Sequence, residues 1–245
     1  MRCSGCGVEK KLIKSHIIPE SFFRKMKCGG ETIYRVTNTF NNEWEHKKRT
    51  PIGVYDKTIL CDECEKRFSN TDDYGYRMLF ENKQNEIIIE NQRFYIIKNI
   101  DYKLTKLFFI SILWRASVSN DECFCRVKLG AIEQVAKKHI WEENPGSSDD
   151  FSFRLYKFIP TDTGYEKAML MPERIRFGSV NYYKFYLAGY ILCIKADNRE
   201  TPDLYSLNHF KIEQNQKDML VVALDFFEHP ACKKMYDIAN SSAKV

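Results

Sequence analysis

Cys3 and Cys6, then Cys61 and Cys64, stand as two C-x-x-C pairs at the ends of residues 7–60, and this arrangement constrains the chain more than anything after residue 70. Each pair can turn two thiolates toward one side of a metal, and two such turns complete a tetrahedral zinc shell. The spacing predicts a structural zinc at Cys3, Cys6, Cys61 and Cys64, with the intervening segment tied into a loop at its neck. A closed thiolate shell leaves no open position, so such a zinc holds structure and does no chemistry.

Charge separates the same region from the rest. Residues 1–70 carry 14 Lys and Arg against 9 Asp and Glu, and the remainder carries 24 against 24, so the whole net charge of +5 lies in the first seventy residues. Lys10-Lys11, Arg24-Lys25-Met26-Lys27 and Lys47-Lys48-Arg49 can neutralise phosphates and point to nucleic acid as a partner. A solvated surface accounts for so small an excess equally well.

The chain of 245 residues, 44% hydrophobic, is long enough for a small module and a larger domain. Its longest apolar run, Leu107 to Trp114, is broken by Ser111 and falls far short of the roughly 20 residues of a membrane span. No membrane partner is expected. Cys3 and Cys6 follow Met1 without the basic start and apolar stretch of a secretory signal, so a cytoplasmic setting is expected, where nine cysteines serve as thiols and metal ligands.

The expected fold class is α+β: an N-terminal zinc-stapled module over residues 1–70 and a larger mixed domain over 71–245 that selects substrate or partner. In the module a knuckle at Cys3 to Cys6, a strand near Lys11 to Ile18 and a Gly29-Gly30 turn are expected, with Tyr34 to Phe40 strand or loop. Beyond it the patterns predict a helix over Asp72 to Asn82, a strand pair over Glu86 to Ile97 and a helix over Lys103 to Ala116, apolar nearly all round and therefore buried. A helix over Gly130 to Glu143 places Ile132, Val135 and Ile140 at near-helical spacing. Phe151 to Ile159 and Tyr182 to Ala196 read as strands, Gln216 to Phe227 is of open type, and Pro230 to Ala239 reads as a last helix. Cys28, Cys123, Cys125, Cys193 and Cys232 read as ordinary thiols, and His46, His139, His209 and His229 lack metal-ligand spacing.

Cys3-x-x-Cys6, Ser15-His16-Ile17-Ile18-Pro19-Glu20, Gly29-Gly30 and Leu60-Cys61-x-x-Cys64-Glu65 together resemble the HNH (His-Me finger, ββα-metal) endonucleases in their zinc-stapled form, over about residues 1–70. The resemblance implies a hydrolase that cuts phosphodiester bonds in DNA. His16 would be the general base, Asp56 would take the place of the asparagine that orients it, and Glu65 would take the place of the last residue, which binds a catalytic Mg²⁺ or Mn²⁺. The letters read His-Asp-Glu where the family has His-Asn-His, and Ser15 stands where many members place a further metal-binding Asp or His. Aspartate can accept from an imidazole N–H, and glutamate is a good ligand for a hard cation. Asn38, Asn41 and Asn42 are alternatives for the middle position, and Asn70 for the last. His-Ile-Ile-Pro-Glu, Asp72-Asp73-Tyr74-Gly75 and the run Lys106 to Ser117 also resemble a group of bacterial HNH-like proteins, which implies a setting in phage defence or a mobile element. A second copy of the chain or a protein partner is expected to use the C-terminal domain.

Two other readings stay open. The module can be a zinc ribbon that binds nucleic acid or protein without catalysis, and the acidic residues at two motif positions favour this, since carboxylates without a metal repel phosphate. Redox sensing through the C-x-x-C pairs is the third.

Overall fold

The computed structural model describes residues 1–27, 33–38, 44–201 and 212–241. Cys28, the Gly29-Gly30 turn, Phe40, Asn41, Asn42 and His209 lie outside the described residues, as do the side chains of Asn38 and His46.

A seven-stranded sheet forms the body of the molecule. Its strands are β5 (Asn85–Ile89), β6 (Gln92–Ile97), β7 (Phe153–Phe158), β8 (Glu173–Phe177), β9 (Val180–Tyr186), β10 (Tyr190–Lys195) and β11 (Met219–Leu224), in the order β5-β6-β11-β7-β10-β9-β8. Neighbours run antiparallel except β11 and β7, which pair in parallel with Val222 opposite Tyr156. The predicted strand Tyr182 to Ala196 is two strands, because the chain reverses at Leu187-Ala188-Gly189, where Ala188 and Gly189 both take positive φ. The open segment Gln216 to Phe227 contains β11.

The unbroken apolar run in β10 has a structural cause. Tyr190, Leu192 and Ile194 pack into the main core, while Ile191 and Cys193 face the opposite side with Phe158, Tyr186, Phe226 and Cys232. A strand covered on both faces has no solvent side and so loses the polar half of the period-two pattern. Helix α6 (Pro230–Ser241) provides Cys232 and Met235 to that second cluster.

Helix α4 (Tyr102–Val118) fills the other face. Asp101 caps it by accepting from the Leu104 N–H at 2.8 Å. Fourteen of its seventeen residues are buried, so the all-round apolarity read from the sequence corresponds to a helix with no wet face. Phe109 meets Phe153 of β7 with ring centroids 4.6 Å apart. On its other sides α4 packs against α3 (Ser69–Tyr76) and α5 (Ile132–Trp141), shorter than the stretches predicted around them. Helix α3 is continued by a π-helical turn over Arg77–Glu81. Gly75 is required where α3 crosses α4, because a Cβ there would lie 2.4 Å from the Phe108 ring.

The main core does not stop at residue 70. It runs from Cys3, Phe22 and Phe68 through Phe108, Leu113 and Trp114 to Leu155 and Leu192. Within the first seventy residues the elements are short: β1 (Ser15–His16), α1 (Glu20–Met26), a hairpin of β2 (Tyr34–Asn38) and β3 (Trp44–Arg49), β4 (Tyr55–Asp56) and α2 (Asp62–Lys66). Only two residues of the strand predicted over Lys11 to Ile18 enter a ladder, with Leu12 adding an isolated bridge to Cys61. No helix among the described residues is long and apolar enough to cross a membrane.

Candidate metal centre and histidine site

The first knuckle closes through Cys3 and Val8: the Cys3 N–H donates to the Val8 carbonyl and the Gly7 N–H to the Cys3 carbonyl, with Gly7 at φ 72°. The second sits at the start of α2, where Cys61 precedes the first helical residue. Main-chain bonds from Ser4 to the Ile59 carbonyl and from Ile13 to the Leu60 carbonyl bring the knuckles together. Gly5 belongs to this joint, since a Cβ there would lie 2.7 Å from Cys64 Sγ and 2.8 Å from Trp141.

The sulfurs of Cys3, Cys6, Cys61 and Cys64 all lie within 4.8 Å of one another, and those of Cys6 and Cys61 are 4.0 Å apart. Zn–S bonds of about 2.3 Å at tetrahedral angles require sulfurs roughly 3.8 Å apart. The four cysteines can hold a metal ion such as zinc. Burial raises the Cys3 thiol, but main-chain N–H groups, that of Cys61 foremost at 3.3 Å, outweigh it and bring the thiol down to about 7. Cys64 is pushed strongly upward by burial and by its neighbouring thiols. Four sulfurs this close cannot all ionise without a cation between them.

The histidine lies on the two-stranded ladder that this joint holds. Strands β1 and β4 pair antiparallel with Ser15 opposite Asp56 and His16 opposite Tyr55. Side chains alternate along a strand, so Ser15 and Asp56 face inward and are buried, while His16 and Tyr55 share the other face. His16 Nε2 is 3.0 Å from the Ile52 carbonyl oxygen. A carbonyl only accepts, so the bond assigns the proton to Nε2 and leaves the lone pair on Nδ1. Burial lowers the His16 pKa, which keeps the ring neutral.

Asp56 does not orient the imidazole. Its carboxylate accepts from the Thr58 N–H at 2.7 Å, the Thr58 hydroxyl at 2.6 Å, the Ser119 hydroxyl at 3.0 Å and the Asn120 N–H at 2.7 Å. Burial acts to raise this carboxyl, and the four donors overcome it and hold it below the usual range. The strand register explains the difference from the expected role: a residue paired with Ser15 points away from the face that carries His16. Asp56 fastens β4 to the end of α4, and the Ile52 carbonyl holds the ring.

Glu65, on α2, comes to the same neighbourhood from the helix side. Burial raises its pKa, opposed by the charge of Arg115 and by the Ser15 hydroxyl and His16 main-chain N–H that adjoin it. Glu65 Oε2 and Ser15 Oγ are nonetheless buried without a hydrogen bond of ordinary geometry among the described residues. Two unsatisfied oxygens side by side suit a cation or an ordered water. Apart from the cysteines, no three His, Cys, Asp or Glu ligand atoms among the described residues converge within 4.8 Å, so any cation at Glu65 would rely largely on water ligands, as Mg²⁺ commonly does. Of the alternative asparagines, Asn70 is exposed in the first turn of α3.

Arg115 and Asp72 escape the site reading of the sequence. Arg115 is fully buried in α4, and each of its five N–H groups has an acceptor: Asp72 Oδ1 and Oδ2 at 2.7 and 2.9 Å, the His16 carbonyl at 2.9 Å, and the carbonyl and hydroxyl of Ser111. The Phe68 ring lies against the guanidinium, 4.6 Å away. The signal for the pair is an arginine directly after the apolar run Leu107 to Trp114, which demands an anion nearby. Compared with known protein families, curated proteins and solved structures, the chain finds no match.

Proposed function

We propose that this protein is a metal-dependent endonuclease of the HNH type, hydrolysing phosphodiester bonds in DNA, with zinc at Cys3, Cys6, Cys61 and Cys64 as a structural staple. The observation that carries the reading is the His16 Nε2 bond to the Ile52 carbonyl, which leaves Nδ1 as a proton acceptor, on a strand whose main chain adjoins Glu65 and its one unsatisfied carboxylate oxygen. His16 Nδ1 takes a proton from water as the water oxygen bonds to phosphorus and the bond to the 3′-oxygen breaks. Glu65, with the Ser15 hydroxyl next to it, would hold a Mg²⁺ or Mn²⁺ ion, which supplies positive charge at the leaving oxygen. Ile52 fixes the tautomer, and Asp56 and Arg115 hold the strand that carries the ring. The basic module engages the nucleic acid, the rest of the chain selects substrate or partner, and a paired second copy would permit cutting of both strands. A cytoplasmic protein of this kind suits phage defence or a mobile element.

The test is plasmid cleavage with added Mg²⁺ or Mn²⁺ by the zinc-loaded chain. His16→Ala is expected to slow cutting by about 100-fold or more, as loss of a general base does. Equal rates for His16→Ala and wild type would remove His16 from the mechanism. Glu65, half-buried close to Asp72, favours one competing reading, a zinc ribbon that binds without cutting. Salt-sensitive DNA binding with one bound zinc and no cleavage under any divalent cation would establish it.

A further inference from the structure

The outward face of the β1–β4 ladder carries more than His16. Lys14, two residues before His16, and Lys57, two residues after Tyr55, lie just outside the two short strands and reach the His16–Tyr55 pair. The side chains meet there: Lys14 Nζ lies 5.0 Å and Lys57 Nζ 5.9 Å from the centre of the Tyr55 ring, and the His16 ring stands edge-on to the same tyrosine at 5.9 Å. Ammonium groups over an aromatic face are held by its quadrupole. Lys14 and Lys57 are both exposed, and among the described residues neither forms an ion pair, whereas Lys10, Lys66, Lys103, Lys184 and Lys195 do. Two cations are thus gathered beside the histidine without an ion-pair partner among the described residues.

We propose that Lys14, Tyr55 and Lys57 form the phosphate-backbone clamp of this protein, gripping DNA on either side of the phosphate presented to His16. The inference rests on the nuclease reading for the identity of His16 and deepens it by naming the residues that position substrate. Each DNA strand places a phosphate every 3.4 Å or so along the duplex axis, so two ammonium groups on one ring can meet neighbouring phosphates of a single strand. Tyr55 acts through the lysines: its ring gathers both ammonium groups ahead of binding, which lowers the ordering cost of the interaction.

The experiment measures binding of a short fluorescent DNA duplex by the full zinc-loaded chain across a salt series, without added divalent cation. For a Lys14→Gln, Lys57→Gln double variant, the slope of log affinity against log salt is expected to become shallower by about 2, one for each phosphate that is no longer neutralised. A Lys83→Gln, Lys98→Gln pair, exposed and distant in sequence, should leave the slope unchanged. Tyr55→Phe keeps the ring and should behave as wild type, whereas Tyr55→Leu should weaken binding by roughly 5-fold, the worth of one cation–π interaction. The surface lysines carry the test alone if Tyr55→Leu does not fold. A wild-type slope in the double variant, an equal drop in the control pair, or no DNA binding by wild type overturns the clamp. Binding that follows the expected pattern without cleavage upholds the clamp and removes the nuclease reading; cleavage with an unaltered slope does the reverse.

Discussion

At the four-cysteine end of the molecule the strands that carry the histidine are two residues long, whereas β9 and β10 of the sheet run for seven and six. A two-residue ladder cannot hold itself in water, and this one owes its register to what surrounds it: the knuckles at one end, the four hydrogen bonds on Asp56 at the other, and Arg115 on the His16 carbonyl. The sheet owes its register to burial, with β10 covered on both faces. One helix serves both ends, since α4 presents Phe109 to β7 and Arg115 to β1. Polar and metal cross-links can be broken one at a time and an apolar core cannot, so the two ends should fail differently.

Removing the metal should produce the largest difference. Structural zinc contributes on the order of 10 kcal/mol to small domains that depend on it. Chelation, or Cys64→Ser, is expected to strip protection from the amides of the knuckles and of β1 and β4 in hydrogen exchange, while β7, β9 and β10 keep theirs. Loss of protection in the sheet to the same degree would mean that the shared core makes the molecule one cooperative unit. Elemental analysis should give one zinc per chain in wild type and none in the variant.

The Arg115–Asp72 pair comes next and tests the link between the ends. Burial pushes the Asp72 carboxyl up, and Arg115 opposes this by charge and by two hydrogen bonds. Arg115→Met leaves that carboxylate and the His16 carbonyl without their donors, and breaking a buried pair from one side costs about 3–5 kcal/mol. Denaturant unfolding should show this loss, with the β1 and β4 amides becoming exposed before those of the sheet. A change below about 1 kcal/mol would show that the ends are joined by packing alone.

The two ends also differ in how much of them can be read in the residues. Long periodic elements are legible: α4, α5, the β5–β6 pair and β7 lie where apolar pattern places them, within a few residues. The cysteine cluster is legible because C-x-x-C spacing is a local geometric statement that folding only has to complete. β8 is not, since Glu173-Arg174-Ile175-Arg176-Phe177 is an edge strand whose charges hide its alternation. Helix α1 is masked by Pro19, which reads as a break but here immediately precedes the first turn. The site is legible in its histidine and misleading in its aspartate. The resemblance puts Asp56 in the place of the residue that orients His16, but side-chain direction is set by strand pairing, and one residue of register turns a carboxylate to the opposite face. Main-chain acceptors such as Ile52 leave no mark in a sequence, because every residue has a carbonyl.

The smallest effect is expected at the sheet end, from a buried charge that faces no carboxylate directly. Lys106 of α4 is 1% exposed, and its ammonium donates to the carbonyls of Ser147 and Asp150, with Lys195, Asp149, Asp150 and Glu213 as its charged neighbours. Burial, the dominant cause, lowers its pKa from 10.5 to about 8. Between those values the unfolded chain holds a proton that the folded chain has released, so the unfolded state binds more protons and stability rises with pH. The gain is at most about 1.4 kcal/mol per pH unit, reduced by whatever water reaches the site. Groups of opposite sign accompany it: the thiols of Cys123, Cys193 and Cys232, and above pH 10 the Tyr102 hydroxyl, all pushed up to about 12 by burial, stay protonated in the folded chain while they ionise in the unfolded one. Chemical denaturation from pH 8 to 10 should therefore give wild type a more positive slope than Lys106→Met, whatever the variant's stability at neutral pH, since the buried thiols of Cys123, Cys193 and Cys232 act alike in both. Parallel slopes would mean that Lys106 keeps its proton throughout, with the two carbonyls and the nearby acids compensating its burial, and the sheet end would then depend on polar cross-links as the β1–β4 ladder does.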